Sequence, residues 1–177
     1  MKFIKWTIIS GFTAGFIGLL SVIGLYFYLS PDLPDVRSLK NIKLQTPLKV
    51  FTQDGKLISQ YGEKRRIPLS IEQIPIDMQH AFLAIEDARF YHHPGIDPIG
   101  IVRAAISLAI TGEKRQGAST ITQQVARNYF LTREKTFIRK IKEVFLAWDI
   151  EQALSKDEIL MLYLNKISLG HRSFGVG

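Results

Sequence analysis

The stretch from Trp6 to Leu29 contains no charged side chain, and it constrains the fold of this chain more than any other feature. A helix of about 20 apolar residues is long enough to cross the hydrocarbon core of a bilayer. Trp6 and Tyr28 lie near its two ends, where aromatic side chains commonly meet the membrane surfaces. A cleavable signal peptide would have a shorter apolar region, of about 7–15 residues, and a small-residue cleavage site that Tyr28-Leu29-Ser30-Pro31 does not provide. We therefore predict an uncleaved transmembrane signal anchor over residues 6–29.

The charges on either side of this anchor predict its orientation. Lys2 and Lys5 precede the anchor, whereas Asp32 and Asp35 follow it closely. Because positively charged flanks tend to stay in the cytoplasm, we expect residues 1–5 to be a cytoplasmic N-terminus and the remainder of the chain to lie outside.

Overall charge and cysteine usage narrow the class of partner. The 177 residues carry a net charge of +7 and contain no cysteine. A basic excess suits a domain held against an anionic lipid surface. Nucleic acid is the other partner that a basic chain indicates, but the sequence has no nucleic-acid-binding motif and carries a membrane anchor. The lack of cysteine is compatible with an oxidising exterior. We therefore expect a bilayer, and no nucleic acid, as the partner.

Turn and helix signals divide the rest of the chain. Residues 30–47 hold three prolines and scattered charges, which predicts a linker. Two β-rich stretches separated by a turn containing Asp54-Gly55 predict a β-hairpin at the start of an element spanning residues 48–75. From residue 76 to 177 the signals are helical. The predicted fold is therefore mainly α, behind one transmembrane helix and a short β-hairpin.

Capping residues mark several of the helix ends. These are Asp97 before Pro98, Gly112 as a C-terminal stop, Thr120 with Gln123, and Ser155 with Glu158. The segment Ile99–Ile110 between two of these signals is apolar nearly all round, with Arg103 as its one charge. Followed by Lys114 and Arg115, it fits a lipid-side element, but a buried core helix explains it as well.

Two adjacent acids, Glu86 and Asp87, lie at the end of a helical pattern for which Asp77 is a plausible N-cap. On that helix Asp87 is predicted to point away from the apolar side. Glu86 lies at its flank, with Phe82 one turn before it and Phe90 one turn after it. A carboxylate walled by apolar surface is a candidate proton acceptor near neutral pH. The alternative is an acidic pair solvated on a helix surface.

The helix predicted from about Arg133 to Leu154 has two distinct faces. The apolar stripe that we expect to pack against the core comprises Phe137, Ile141, Val144, Phe145 and Trp148. Arg139, Lys140 and Glu143 cluster on the opposite side at helical spacing. Such a cluster is either a solvated, self-paired surface or a cationic cradle suited to a phosphate ester or a metal-bound pyrophosphate.

Residues 117–124 combine small and hydroxyl side chains with two successive glutamines. A plain N-cap at Thr120 explains part of this pattern. Together with Thr120, the side chains of Ser119, Gln123 and Gln124 also form a dense group of neutral hydrogen-bond partners at a helix N-terminus. The pattern therefore indicates a binding site for a sugar or a phosphate.

Four motifs in order resemble glycosyltransferase family 51, which comprises the glycosyltransferase domain of class A penicillin-binding proteins and monofunctional peptidoglycan glycosyltransferases. The motifs are Glu-Asp-x-x-Phe-x-x-His-x-Gly at 86–95, Gly-x-Ser-Thr-Ile-x-Gln-Gln at 117–124, Arg-Lys-x-x-Glu at 139–143 and Lys-x-x-Ile-Leu-x-x-Tyr-Leu-Asn at 156–165. Gly170 and Phe174-Gly175 approximate a fifth motif, in which the family has Tyr-Gly. The anchor, the hairpin and residues 62–68 resemble the region preceding the domain in class A proteins, which favours the bifunctional class.

The resemblance implies a lysozyme-like glycosyltransferase domain that polymerises lipid II with inversion at the outer face of the bacterial cytoplasmic membrane, with undecaprenyl pyrophosphate as the leaving group. Glu86 would be the catalytic base, and Arg139 and Lys140 would stabilise the departing pyrophosphate. Glu143, the second catalytic residue, would orient these cations or hold a divalent ion such as Mg²⁺. The resemblance assigns substrate binding to Arg139, Lys140, Asp87, His93, Ser119, Thr120, Gln123, Gln124 and Asn165.

The family's domain continues through further helices, so residues 76–177 are expected to be a C-terminally truncated domain within an N-terminal fragment. The expected partners are lipid II and the growing glycan strand, the bilayer and cell-wall synthesis proteins. Two other functions stay open: a truncated, non-catalytic protein that binds lipid II or acts as a scaffold, and a lysozyme-like hydrolase. The cationic cluster and the membrane anchor argue against the hydrolase.

Overall fold

The computed structural model describes residues 2–42, 48–61, 68–113, 117, 119–132, 134, 136–170 and 173–176. Residues 62–67, Lys114, Arg115 and Arg133, which entered the sequence predictions, lie outside this part. The chain forms two compact units, residues 1–34 and 35–177.

The first unit is a single long helix, α1, from Lys2 to Leu29, followed by a short 3₁₀ helix at Ser30–Asp32. The stretch Ile9–Asp32 is long and apolar enough to cross a membrane, judged by length and composition. Most of its large apolar side chains are exposed in the isolated chain, as expected of a helix surrounded by lipid, and Leu29 at its end is buried. The predicted apolar N-terminal helix is therefore confirmed.

The second unit is mainly helical, as predicted. Its helices are α2 (Ile76–Glu86), α3 (Pro98–Thr111), α4 (Ile121–Phe130), α5 (Phe137–Ala153) and α6 (Lys156–Lys166). Its strands are β1 (Leu48–Phe51), β2 (Leu57–Tyr61), β3 (Ser168–Gly170) and β4 (Ser173–Phe174). β1 and β2 form the predicted antiparallel hairpin, with Leu48 opposite Tyr61, and β3 pairs with β4 in a second small sheet. Gly55 takes a φ of 81° in the hairpin turn, a conformation that favours glycine.

The helix ends follow the capping signals with one exception. The side chain of Asp97 accepts a hydrogen bond from the backbone of Ile99, Gly112 ends α3 with a φ of 66°, and both predicted capping boxes are present. Asp77, predicted as an N-cap, lies instead in the first turn of α2. The carbonyl of Pro75 accepts the backbone N–H groups of both Met78 and Gln79, so the helix begins before Asp77.

The core of the second unit lies where α4 packs against α5 and α6. Its fully buried side chains include Ile121, Val125, Leu146, Ile150, Ile159, Leu160 and Leu164. Part of the segment predicted as a linker also belongs to this unit. A 3₁₀ helix at Val36–Asn41 packs on α5 and buries Val36 and Leu39.

α5 presents a different face to the core from the one that hydrophobicity predicted. It begins at Phe137, capped by Thr136, and its buried residues are Glu143, Leu146, Ala147 and Ile150. Phe137 is 92% exposed and Trp148 is 47% exposed, so the predicted apolar stripe was wrong at both of these positions. The difference arises because Glu143, neutralised by its partners, lies in the interior. A prediction based on apolar residues alone places every charged residue on the solvent side.

α3 is a surface helix. No residue in it is buried, and its large exposed side chains are Ile99, Ile101, Val102, Ile106, Leu108 and Ile110. In this chain α3 is therefore not packed as a buried core helix. An exposed apolar surface of this kind marks an interaction site, and a lipid-side element remains the interpretation that fits it.

Gly95 is expected to be essential to the packing of the second unit. It has a φ of 87°, and a β-carbon built on it would lie 2.9 Å from the backbone oxygen of Ala147 in α5. Gly95→Ala should therefore lower the free energy of unfolding by about 2–5 kcal/mol, the sum of left-handed strain and overpacking. Gly55→Ala is the matched control, because its φ is also positive but its β-carbon would meet open space. That variant should lose only about 1–2 kcal/mol in urea unfolding in detergent micelles. Equal losses would contradict the packing argument.

Candidate active site

A cleft of about 240 Å³ opens at the C-terminal end of α2. Its lining residues come from the end of α2, the start of α3 and the segment before α4, and include Glu86, Asp87, Asp97, Gly100, Arg103, Gly117, Ser119 and Thr120. The first two sequence motifs thus meet in one cavity, as their chemistry requires.

Glu86 is the last residue of α2 and is half-buried in this cleft. Its Oε2 accepts a hydrogen bond of 2.8 Å from Nε2 of Gln124 in α4. Because the helix ends at Glu86, Phe90 does not follow on the next turn. Phe90 lies in a separate 3₁₀ turn, where the ammonium of Lys156 is 4.4 Å from its ring centroid. Phe90 therefore does not flank Glu86 on the same helix, as the predicted wall of Phe82 and Phe90 assumed.

Asp87 is buried, contrary to the prediction that it points away from the core. Both of its carboxylate oxygens lie 3.0 Å from Nε2 of His93, and Oδ2 also accepts the backbone N–H of Ile121 at 3.0 Å. Ile121 is the first residue of α4. Asp87 and His93 therefore link the end of α2 to the start of α4. Their buried polar atoms are used mainly in these internal contacts and less as binding groups for a ligand in the cleft.

Thr120 and Gln123 are also buried, and they too bond to groups within the domain. Oγ1 of Thr120 donates to the carbonyl of Gly95 at 2.6 Å and accepts the backbone N–H of Gln123. Ser119 and Gln123 both accept hydrogen bonds from Nζ of Lys140, at 2.9 and 3.2 Å. The second motif therefore connects the cleft to the cations of α5.

Glu143 is the centre of that cationic cluster, and it is only 1% exposed. Its Oε2 lies 2.6 Å from Nη1 of Arg139, and its Oε1 lies 2.5 Å from Nζ of Lys140. A buried carboxylate between two cations is not a solvated surface, so the structure supports the cradle interpretation. Glu143 is not among the residues that line the cleft, and both of its carboxylate oxygens are paired with cations of α5. The Lys140 side chain is 43% exposed, and its ammonium donates to Glu143, Ser119 and Gln123.

The surroundings of Glu143 do not fit a divalent metal ion. Both carboxylate oxygens already accept hydrogen bonds from cationic side chains, whereas Mg²⁺ requires oxygen ligands that are free to coordinate it. Within the described ranges, no group of three or more His, Asp or Glu side chains could hold a metal ion. A metal held by Glu143 therefore conflicts with this donor set.

Comparison with known proteins agrees with the four motifs. A family model described as transglycosylase matches residues 54–177. The chain belongs to the transglycosylase family. The predicted resemblance to glycosyltransferase family 51 is thus confirmed, and it covers the hairpin turn, the cleft and the cationic cluster.

Three similar proteins carry the name penicillin-binding protein 1A. The chain is 58% identical to the protein from Escherichia coli strain K12 and 56% identical to the one from Vibrio cholerae, over its whole length. It is 52% identical to the Pseudomonas aeruginosa protein over 99% of its length. These alignments cover 21%, 22% and 21% of the three relatives, so the chain spans about a fifth of their length.

In this transglycosylase domain Asn165 has a structural position rather than the predicted substrate-binding one. It is buried, and its Oδ1 accepts the backbone N–H of Leu69 at 2.9 Å. Its Nδ2 donates to the carbonyls of Leu69 and Met161. With both amide hydrogens bonded to the backbone, Asn165 joins the segment before α2 to α6 and has no donor left for a ligand.

Two charged residues of the transglycosylase cleft were not predicted as site residues. Arg103 lines the cleft from α3, and Asp97 lines it while capping the same helix. A signal for Arg103 was present, because a single charge in an otherwise apolar helix needs a polar environment. Asp97 gave no such signal, since its capping role explains its position completely.

Asp97 should make the stability of the domain depend on acidic pH. Burial alone would raise the pKa of its carboxyl, but backbone hydrogen bonds from Gly100 and Ile99 and the charges of Arg89 and His93 together lower it. A carboxyl whose pKa is lowered by folding stabilises the protein above its unfolded pKa, about 3.9, and this contribution disappears as the pH falls through the folded value.

Asp97→Asn keeps an N-cap acceptor but removes the charge. The variant should be less stable than the parent near pH 7, and the difference should be smaller near pH 3, which lies below the unfolded pKa of the carboxyl. Urea unfolding in micelles at both pH values measures this. A difference that is the same at both would mean that capping, not charge, is the contribution of Asp97.

Proposed function

We propose that this transglycosylase domain is a peptidoglycan glycosyltransferase that polymerises lipid II into glycan strands. The observation that carries the proposal is one accessible carboxylate, Glu86, in a cleft whose Ser119 is hydrogen-bonded to Lys140. Lys140 in turn is paired with the buried Glu143. The site thus combines a proton acceptor with positioned cations, which is what transfer from a sugar pyrophosphate needs.

In the proposed reaction the 4-hydroxyl of the acceptor sugar gives its proton to Glu86. Its oxygen attacks the anomeric carbon of the donor from the face opposite the leaving group, so the configuration inverts. The bond from that carbon to the pyrophosphate oxygen breaks, and undecaprenyl pyrophosphate departs with the bonding electrons. Lys140 and Arg139 stabilise the charge that develops on it. The leaving group is already a competent anion, so the site needs less general-acid catalysis than a glycosidase does.

The two apolar helices support a reaction at a membrane. α1 suits a single-pass anchor in the cytoplasmic membrane, with its N-terminus in the cytoplasm and the domain at the outer face. α3 presents an exposed apolar surface while its Arg103 lines the cleft. This arrangement would let a lipid chain lie along α3 with its headgroup in the site. The binding of cell-wall synthesis proteins, and of a divalent ion carried by the pyrophosphate, remains a prediction.

Incubating the detergent-extracted chain with labelled lipid II tests the proposal. Glycan polymer with released undecaprenyl pyrophosphate is the expected product. Shortened fragments from preformed glycan would instead indicate a hydrolase, and retention of lipid II without a product would indicate a binding protein. Either of these results would overturn the proposed function.

A further inference from the structure

Tyr163 is a buried residue of α6 whose hydroxyl makes no hydrogen bond within the described part of the chain. Only 1% of its surface is exposed, so bulk water does not satisfy the hydroxyl. The great majority of buried polar atoms in folded proteins have a partner. The phenol of Tyr163 therefore requires an explanation that packing alone does not provide.

The surroundings of Tyr163 place it next to the candidate base. Phe82, one turn before Glu86 on α2, meets the Tyr163 ring edge-on at a centroid distance of 6.1 Å. Burial raises the pKa of Tyr163 and the negative charge of Glu86 raises it further, while Arg127 from α4 lowers it. The phenol is therefore protonated at neutral pH and is a hydrogen-bond donor within the field of Glu86.

Glu86 in turn can take another donor. Among the described residues, only its Oε2 has a hydrogen-bond partner, the amide of Gln124. An ionised carboxylate offers about four lone-pair sites, so a second donor still leaves room for an acceptor hydroxyl. Within the described part of the chain, Oε1 is therefore the oxygen left to accept a hydrogen bond from the phenol.

We propose that Tyr163 is a positioning residue for Glu86, with its hydroxyl donating to the second carboxylate oxygen. Two donors, one on each oxygen, hold the plane of the carboxylate at a fixed angle to the cleft. They also favour the ionised form that must receive the proton. The consequence for turnover rests on the proposed function of Glu86, whereas the hydrogen bond itself does not.

Tyr163→Phe keeps the ring and removes the hydroxyl. It should lower the turnover of lipid II about tenfold, the factor expected for a lost hydrogen bond to a charged group, with KM unchanged. The acid limb of the pH–rate profile should move to higher pH, because the ionised carboxylate loses a donor. Tyr91→Phe is the matched control, since it removes a hydroxyl that is bonded to Asp157 at the surface. Tyr91→Phe should change neither the turnover of lipid II nor the position of the acid limb.

A measurement that does not depend on lipid II turnover tests the hydrogen bond from Tyr163 independently of the proposed function. The Glu86 carboxyl carbon, labelled with ¹³C, can be titrated by NMR in micelles in the parent chain and in Tyr163→Phe. A titration midpoint that rises in the variant supports the hydrogen bond, even if the parent chain makes no polymer and the proposed function fails. An unchanged midpoint overturns the positioning role of Tyr163, even if the parent chain polymerises lipid II.

Discussion

Glu86→Gln is expected to lower the rate of lipid II polymerisation by roughly 10²–10⁴-fold, the range typical of a lost proton transfer. Glutamine has nearly the same shape, and its amide oxygen can still accept the hydrogen bond that Gln124 donates to Glu86. The fold and the cleft should therefore persist. Retention of lipid II should survive as well, because Arg139 and Lys140, the cations proposed to stabilise the pyrophosphate, are untouched.

Glu72→Gln is the matched control for this prediction. Glu72 is an exposed glutamate outside the cleft, so its neutralisation should leave polymerisation unchanged. Near-normal polymerisation by Glu86→Gln would show that Glu86 is not the base. Loss of lipid II retention in that variant would show that Glu86 binds substrate instead of only accepting a proton.

Glu143→Gln is expected to combine a large loss of stability with a loss of polymerisation. Removing the buried charge leaves Arg139 and Lys140 without their counter-ion. We expect the free energy of unfolding to fall by about 2–4 kcal/mol, below the range for a fully buried pair because the partly exposed Lys140 can turn into water. Polymerisation should fall because Lys140 is no longer held beside Ser119.

Lys140→Ala separates the loss of stability from the loss of polymerisation. It removes one of the two cations but leaves Glu143 paired with Arg139, so the free energy of unfolding measured with urea in micelles should fall by less than in Glu143→Gln, while polymerisation falls as well. If Glu143→Gln unfolded like the parent chain and still lost activity, Glu143 would act on the substrate directly, and its role as a buried anchor for the cations would be wrong.

The motifs predicted side chains that the structure brings together at the cleft and in the cationic cluster, but not which of them are accessible and which are buried. The motifs indicated both Glu86 and Asp87, yet only the fold shows that Asp87 is bonded to His93 and to the backbone of α4. Asn165 is the clearest case. Its partner Leu69 lies 96 residues away in the chain, and no local pattern connects the two.

Local elements were determined by the sequence itself, because their causes lie within a few residues. Asp97 caps α3 through the backbone of Ile99, and Thr120 pairs with Gln123 in a capping box at the start of α4. The long uncharged run similarly determines an apolar helix without any tertiary contact, since every backbone polar group of a helix is satisfied internally.

Which face of α5 is buried was decided only by tertiary structure. Hydrophobic periodicity selected the side of Phe137 and Trp148, which the structure leaves exposed. The other side is buried because Arg139 and Lys140 neutralise Glu143, while Lys140 is held by Ser119 and Gln123 from a distant segment. A buried charge is stable only when such partners converge on it. The sequence by itself determined which residues carry charge and which helices form, and the packing of α4 against α5 decided which charge lies inside.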